Sequence, residues 1–357
     1  MTPILTSLDR YIGRTIVVST LLVLAVVLSV MIFVFVIDAM SDYGRGYFFT
    51  YELARFVLLS LPRRLYEILP VVGLIGATLG LSTLALNSEL TAMRAAGVST
   101  GRIILAALKV GALFAVIGVM LSELVVPVTE DLAHTGRANA LQKSVRQHQS
   151  GIWLRDGPAF INIGEVLPDK TLLRIVIYSF AADGRLSEQL SAVRAHFEPD
   201  GWRLETVRRA AYDAAGAAIT TEPVAWWRSR LAPSVVEVFA RQPEQLSVVQ
   251  LWRYIEHLRQ NGLDTTRFRL ALWQKMLAPV ATLVMVLLAT PFVFRPVRSG
   301  GLSQRVFLGI MIGVVFMILV RVFGLLGVVY GLPPLLAAAL PVAVFLALAL
   351  GLLRHAA

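Results

Sequence analysis

No cysteine occurs anywhere in the chain, which removes disulfide and thiolate chemistry and leaves the compartment open on that ground. Charge is scarce as well: Asp, Glu, Lys and Arg make up 16% of the residues against 57% hydrophobic, which excludes an ordinary soluble protein. Lysine is confined to Lys109, Lys143, Lys170 and Lys275, so arginine carries most of the positive charge behind the net +10. That bias reads equally well as the legacy of a GC-rich genome or as selection for phosphate binding, to which the guanidinium fork is suited. There is no G-x-x-x-x-G-K-[ST] phosphate loop, so this chain is not expected to hydrolyse ATP itself. Neither an H-E-x-x-H motif nor a cluster of Asp and His points to a metal, and the five histidines are scattered. No catalytic residue is assigned.

What is present is apolar sequence in runs near 12–37, 62–86, 103–126, 271–294, 306–329 and 333–353. Each is long enough, at about 20 residues, to cross roughly 30 Å of hydrocarbon as a helix. The first follows basic residues as a signal peptide would, but it is about twice a usual signal core and lacks a small-residue cleavage site, so it reads as a mature span. Arg10, Arg14, Arg94, Arg102, Arg295, Arg298, Arg305 and Arg354 flank the runs on one side, which by the positive-inside rule makes both termini cytoplasmic. Residues 127–270 have ordinary polar composition and form a domain on the far side. The expected division is 1–126, 127–270 and 271–357.

The stretch NSELTAMRAAGVSTGR, Asn87 to Arg102, organises the rest. It is short, polar and glycine-terminated between two apolar runs, and predicts a cytoplasmic surface helix over 87–99. Ser88 is placed to cap it, Glu89 and Thr91 suit its positive end, and Gly97 suits a left-handed terminus. Leu90, Met93 and Arg94 then share one face, predicted to be gripped by another protein. Further on, Pro62, Arg63 and Arg64 predict a break in the second hydrophobic stretch. Gly76/Gly80 and Gly309/Gly313 are G-x-x-x-G pairs, read equally as packing within the chain or between subunits.

Beyond Gly151 the period shortens. Residues 160–163, 173–180 and 202–207 read as strands, with turns at Pro168-Asp169 and Pro199-Asp200-Gly201, while 185–197 is ambiguous between helix and strand. The segment from Ser247 to Gln260 predicts an amphipathic helix ended by Gly262, with Val248, Leu251, Trp252, Ile255 and Leu258 on its apolar side. It suits either the membrane interface or packing under the β-domain. The fold class is therefore a membrane α-helical protein of six transmembrane helices, three plus three, with an inserted all-β domain of β-sandwich or jelly-roll type.

Gly97-Val98-Ser99-Thr100-Gly101 formally matches G-x-S-x-G, but a nucleophile elbow needs a strand before the serine, and here apolar helices flank it. Charges inside the spans carry more weight. Arg321 and Glu67 each need a partner or a water-filled cavity, and Arg321 is read as a cavity residue or as one half of a structural pair, with Glu67 a candidate partner. Lys109 lies close enough to the cytoplasmic end to snorkel.

Together LDRYIGR (Leu8 to Arg14), the LP-x-x-x-x-x-x-P pattern from Leu61 to Pro70, SELTAMRAAGVS and YGLPP (Tyr330 to Pro334) resemble the LptF/LptG family of permeases along essentially the whole chain. The resemblance implies a bacterial inner-membrane subunit of an ABC transporter that extracts lipopolysaccharide and passes it to a periplasmic bridge. It implies pairing with a second, LptF-like permease over a dimer of LptB-like ATPases, which hold the ATP and magnesium. The 127–270 domain becomes a periplasmic jelly roll handing substrate to LptC- and LptA-like jelly rolls. On this likeness Glu89, Leu90, Met93 and Arg94 couple to the ATPase, with Glu89 docking in its groove. Arg137 matches a basic residue that attracts lipid phosphates, with His134 at a neighbouring position. Arg63, Arg64 and Arg321 complete the set of candidate lipopolysaccharide-binding cations. Where relatives can carry lysine near the outer end of the first span, this chain has Phe35, Asp38 and Asp42. The competing readings are a mechanotransmission permease of the FtsX or MacB kind, disfavoured by the three-plus-three layout, and an ATP-independent transporter or membrane scaffold.

Overall fold

The computed structural model describes residues 7–141, 152–156, 159–166, 171–181, 184–198, 201–213, 216–227, 229, 243–260, 262–294 and 301–354. Six helical segments in it are long and apolar enough to cross a membrane. They are α1 (Ser7–Ala39), α2 (Thr50–Leu86), α4 (Thr100–Met120), α7 (Thr266–Phe294), α8 (Leu302–Val329) and α9 (Pro334–Arg354). Helix α4 runs on through a π-helical turn, Leu121–Val125, into α5 (Val126–Ala140). Two short helices complete the set: α3 (Glu89–Ala95) and α6 (Val248–Gln260).

The chain divides into two compact units. One comprises Met1–Asp38, Leu59–Glu130 and Thr266–Ala357, and the other Ala39–Leu58 and Asp131–Thr265.

Helix α2 is the centre of the first unit, with 83% of its most apolar stretch buried. Val72, Leu74 and Leu81 of α2 join one core with Ile16 of α1, Ile103 and Ala107 of α4, Met285 and Leu288 of α7, Phe316 of α8 and Phe345 of α9. Lipid tails are as apolar as leucine, so helices gain little by hiding hydrophobic surface and must gain by close contact, which small residues permit. The glycine pairs do this inside one chain. A Cβ added at Gly76 would overlap the backbone of Thr20, and one at Gly80 would lie 3.0 Å from the Ile16 Cα, so this pair is the α1–α2 contact. Gly313 meets Val71 and Gly309 faces Ile75, which seats α8 on α2. Two buried threonine hydroxyls are satisfied within their own helices, Thr20 donating to Ile16 O at 2.7 Å and Thr78 to Leu74 O at 2.8 Å.

No break occurs at Pro62: α2 is continuous through Pro62 and Pro70. A proline removes one helical donor, but an open backbone is costlier still in hydrocarbon, and the adjoining charges that suggested an interruption find partners on neighbouring turns.

In the second unit six antiparallel strands follow one another in sheet order: β1 (Ile152–Asp156), β2 (Ala159–Val166), β3 (Leu172–Phe180), β4 (Leu186–Glu198), β5 (Gly201–Asp213) and β6 (Gly216–Trp227). Period-two alternation places Leu154, Ile161, Ile163, Ile175, Ile177, Leu190, Ala192 and Leu204 on one buried face around Trp202, and an irregularity at Thr206, whose φ is +55°, returns Val207 to it. The ambiguous 185–197 segment is β4, its identity fixed by pairing on both sides, to β3 and to β5. Strands β1 and β6 are additional to those read from the sequence. The described strands form a meander, without the Greek-key crossover of a jelly roll. Pro168-Asp169 and Pro199-Asp200 lie outside the described residues.

Helix α6 opens with a capping box: Ser247 Oγ accepts from the Gln250 N–H at 3.1 Å, and Gln250 Oε1 from the Ser247 N–H at 2.9 Å. It ends at Gly262, whose φ is +66°. Its buried side is Leu251, Tyr254 and Leu258, whereas Trp252, expected on the apolar side, is 63% exposed.

Candidate functional site

Helix α3 is held by its neighbours rather than by its own caps. Ser88 takes a left-handed conformation and its side chain makes no capping bond, contrary to the role expected for it. The other end is as the glycine suggested: Gly97 has φ +89°, Val98 N–H donates to Met93 O and Gly97 N–H to Arg94 O, both at 3.0 Å, a Schellman closure. Leu90 is 4% exposed in the core of the first unit and Met93 packs against it. Leu90 therefore anchors α3 with Met93 partly buried beside it, and the exposed residues are Thr91, Ala92, Arg94 and Ala95.

Glu89 is half-buried. The Tyr11 hydroxyl donates to its Oε2 at 2.7 Å, and Asn87 Nδ2 to its Oε1 at 3.3 Å. Two residues before Tyr11, Asp9 is 8% exposed and holds Lys109 Nζ at 2.6 Å, with Arg102 Nε at 3.8 Å. Lys109 thus meets a carboxylate where snorkelling was expected. The LDRYIGR stretch is fastened at once to α3 and α4, which gives this otherwise unspecific motif a physical reason. Ser99 sits between two helices and immediately precedes α4, so no nucleophile elbow exists there.

The four candidate cations differ in freedom. Arg63 is locked: its Nε lies 2.8 Å from Glu67 Oε1 and its Nη1 3.3 Å from Glu130 Oε2, with the Glu130 side chain only 4% exposed. Arg64 is looser, 3.5 Å from Glu67 and 4.7 Å above the Phe35 ring. Phe35 thus supports an arginine from an adjacent helix. Arg321 is exposed on the outward stripe of α8 between Ile318 and Leu325, and it makes no hydrogen bond or ion pair with any described residue. The pairing with Glu67 considered above does not form, because Glu67 is engaged by Arg63 and Arg64.

In the second unit, Arg137 Nη2 lies 2.6 Å from Asp42 Oδ2, and the guanidinium carbon 4.7 Å from the centre of the Phe56 ring. Asp42 also holds Arg45 at 3.0 Å. His134 contacts Gln245 through Nε2 at 2.9 Å and packs edge-on to Phe56. One buried ion pair escaped the sequence reading altogether. Lys275, 7% exposed, lies 3.2 Å from Glu123. An ionisable residue inside an apolar run was the available signal.

Six candidate spans, five of them packed round the buried α2, with an inserted β-sheet, define a multi-pass membrane protein. The chain belongs to the lipopolysaccharide export system permease LptF/LptG family, whose model matches residues 10–355. Among curated relatives it is 34% identical to the LptG permease of Escherichia coli K12 over 98% of both chains. It is 30% identical to the LptG of Haemophilus influenzae Rd, over 95% of this chain and 96% of that one.

Proposed function

We propose that this chain is the LptG-type half of an inner-membrane lipopolysaccharide exporter, with both termini cytoplasmic and the β-domain periplasmic. The names of its relatives support the G rather than the F type, as do the LDRYIGR and YGLPP motifs. An LptF-like subunit completes the pair, and an LptB-like ATPase dimer supplies ATP and magnesium. That ATPase reaches the exposed side of α3 through Arg94 and Glu89, while Leu90 and Met93 transmit the movement into the bundle as a rigid body. The β-sheet passes substrate to LptC- and LptA-like domains by strand addition at an open edge.

The observation that carries the lipid-handling part of this reading is Arg321. Arg321 lies about two-thirds along α8, and an arginine within a span costs up to about 3 kcal/mol unless it meets water or an anion. Arg321, Arg64 and Arg137 retain guanidinium surface for lipid phosphates, and Arg63 serves as the scaffold that keeps Glu67 in place beside Arg64.

Photocrosslinking probes at Phe35, Arg63, Arg137 and Arg321, scanned in membranes with and without ATP, test the proposal. The expected result is lipopolysaccharide adducts at Phe35, Arg137 and Arg321 that change with ATP. Absence of adducts at every position, with the ATPase bound, would leave mechanotransmission as the better reading. ATP hydrolysis by the complex that is indifferent to Glu89→Ala would overturn the coupling role.

A further inference from the structure

Three spans of the first unit are weakened at one place. Pro70 of α2 has no N–H, so the carbonyl of Tyr66, four residues earlier, loses its helical donor; Pro279 of α7 does the same to the carbonyl of Lys275. Between α4 and α5 the helix opens into the π turn Leu121–Val125, the kind of insertion that interrupts regular carbonyl pairing. These three irregularities are neighbours in space. Tyr66, Pro70, Gly118, Ser122, Lys275 and Pro279 all line one cavity of about 10 Å³, room for a single water.

Lys275 closes this junction. Its Nζ donates to the Ser122 carbonyl at 3.0 Å, inside the π turn, and lies 3.2 Å from Glu123 Oε1. Gly118 is what allows α4 to come so near α2: an added Cβ would lie 3.0 Å from Leu69 Cδ2. A buried ion pair is a poor source of stability, because desolvation consumes most of the attraction, but it discriminates sharply between arrangements that keep it and arrangements that break it. Long helices bend where a proline or a π turn has already loosened the ladder.

We infer that this junction is the hinge about which α2, α4 and α7 bend during the transport cycle, and that Lys275 is a positioning residue that latches one of its two states through Ser122 and Glu123. The inference rests on the transport reading above for the direction of work, not for the hinge itself.

The test uses the complete exporter in lipid nanodiscs and proteoliposomes. This chain has no cysteine of its own, so spin labels at Leu105→Cys and Val128→Cys, both exposed and on either side of the π turn, report its bend once accessible thiols of the partner subunits are replaced. In the wild type, ATP with vanadate should shift the label separation. Lys275→Met should abolish that shift and lower lipopolysaccharide released per ATP about tenfold, leaving hydrolysis within about twofold, whereas Lys275→Arg should restore much of both. Should Lys275→Met fail to accumulate, Glu123→Gln, which keeps shape and the Ser122 contact, carries the same expectation at smaller amplitude. A label separation blind to nucleotide in the wild type overturns the hinge, and normal release per ATP in folded Lys275→Met or Glu123→Gln overturns the latch. A nucleotide-driven shift with no lipopolysaccharide released by the wild type would instead sink the transport reading and leave the hinge standing.

Discussion

Helices α2 and α8 differ in burial more than their apolarity suggests. The most apolar stretch of α2 is 83% buried and that of α8 only 17%, yet α8 is the more hydrophobic of the two. In water the order would be reversed. Inside a membrane the solvent is hydrocarbon, so the greasiest helix faces outward, and the central one carries the glycines, hydroxyls and paired charges that give close contact and hydrogen bonding. Polar residues on the two helices therefore mean different things. Arg63 of α2 is held by the Glu67 and Glu130 carboxylates, whereas Arg321 of α8 is exposed and engaged by no described residue, the contrast on which its proposed lipid-handling role rests.

Breaking that contrast on the α2 side has the largest expected effect. Arg63→Met leaves Glu130, 4% exposed, without its arginine, and should cost about 4 kcal/mol. The measurement is thermal unfolding in detergent, where adding Glu130→Leu should recover most of the loss. If the single variant melts like the wild type, Arg63 is not structural. Next comes Gly76→Val, which forces a branched side chain onto the backbone of Thr20 and should cost about 3 kcal/mol. Gly101→Ala, in open space, is the control and should accumulate normally. On the α8 side, Arg321→Met should leave the melting point unchanged and lower lipopolysaccharide release about tenfold, as expected for one charge-assisted contact worth about 1.5 kcal/mol. A drop in stability instead would move Arg321 to the structural class and erase the contrast.

The same contrast explains what could be read from the sequence. Span count, the Gly97 terminus of α3 and the alternating strands β2 and β3 follow from local chemistry and were legible. Periodicity placed Leu90, Met93 and Arg94 on one side of α3, but period alone does not say which side the bundle takes, and the bundle took Leu90 and Met93. Pro62-Arg63-Arg64 looked like a break because Glu130, which binds Arg63, lies far along the chain. The same holds for Asp9 with Lys109 and for Glu123 with Lys275: each charge looked isolated until folding brought its partner. Strand β6, rich in alanine and threonine, buries little beyond Ala225 and gave no hydrophobic alternation to detect. What chemistry writes locally was visible, and what long-range pairing decides was not.

The smallest predicted effect tests whether the second unit obeys water's rules where the first obeys lipid's. His257 of α6 is held below the ordinary imidazole pKa of 6.5, chiefly by burial, with the nearby Asp156 carboxylate opposing the shift. The folded state then binds fewer protons than the unfolded one as the pH falls through 6.5, so this residue's contribution to stability is complete above that pH and is lost progressively below it. Glu256 on the same helix is shifted downward by its hydrogen bonds from Arg259 and Gln260, and its loss belongs to a more acidic range than the His257 window. Melting curves of the whole protein between pH 7.5 and 5.5, followed by tryptophan fluorescence, should therefore fall gently on acidification. His257→Gln should flatten that slope. Asp156→Asn should steepen it, because removing the carboxylate takes away an influence that favours the imidazolium. A slope unchanged in both variants would mean that His257 is solvated in the folded protein, and that α6 rests on the sheet domain without burying its polar side.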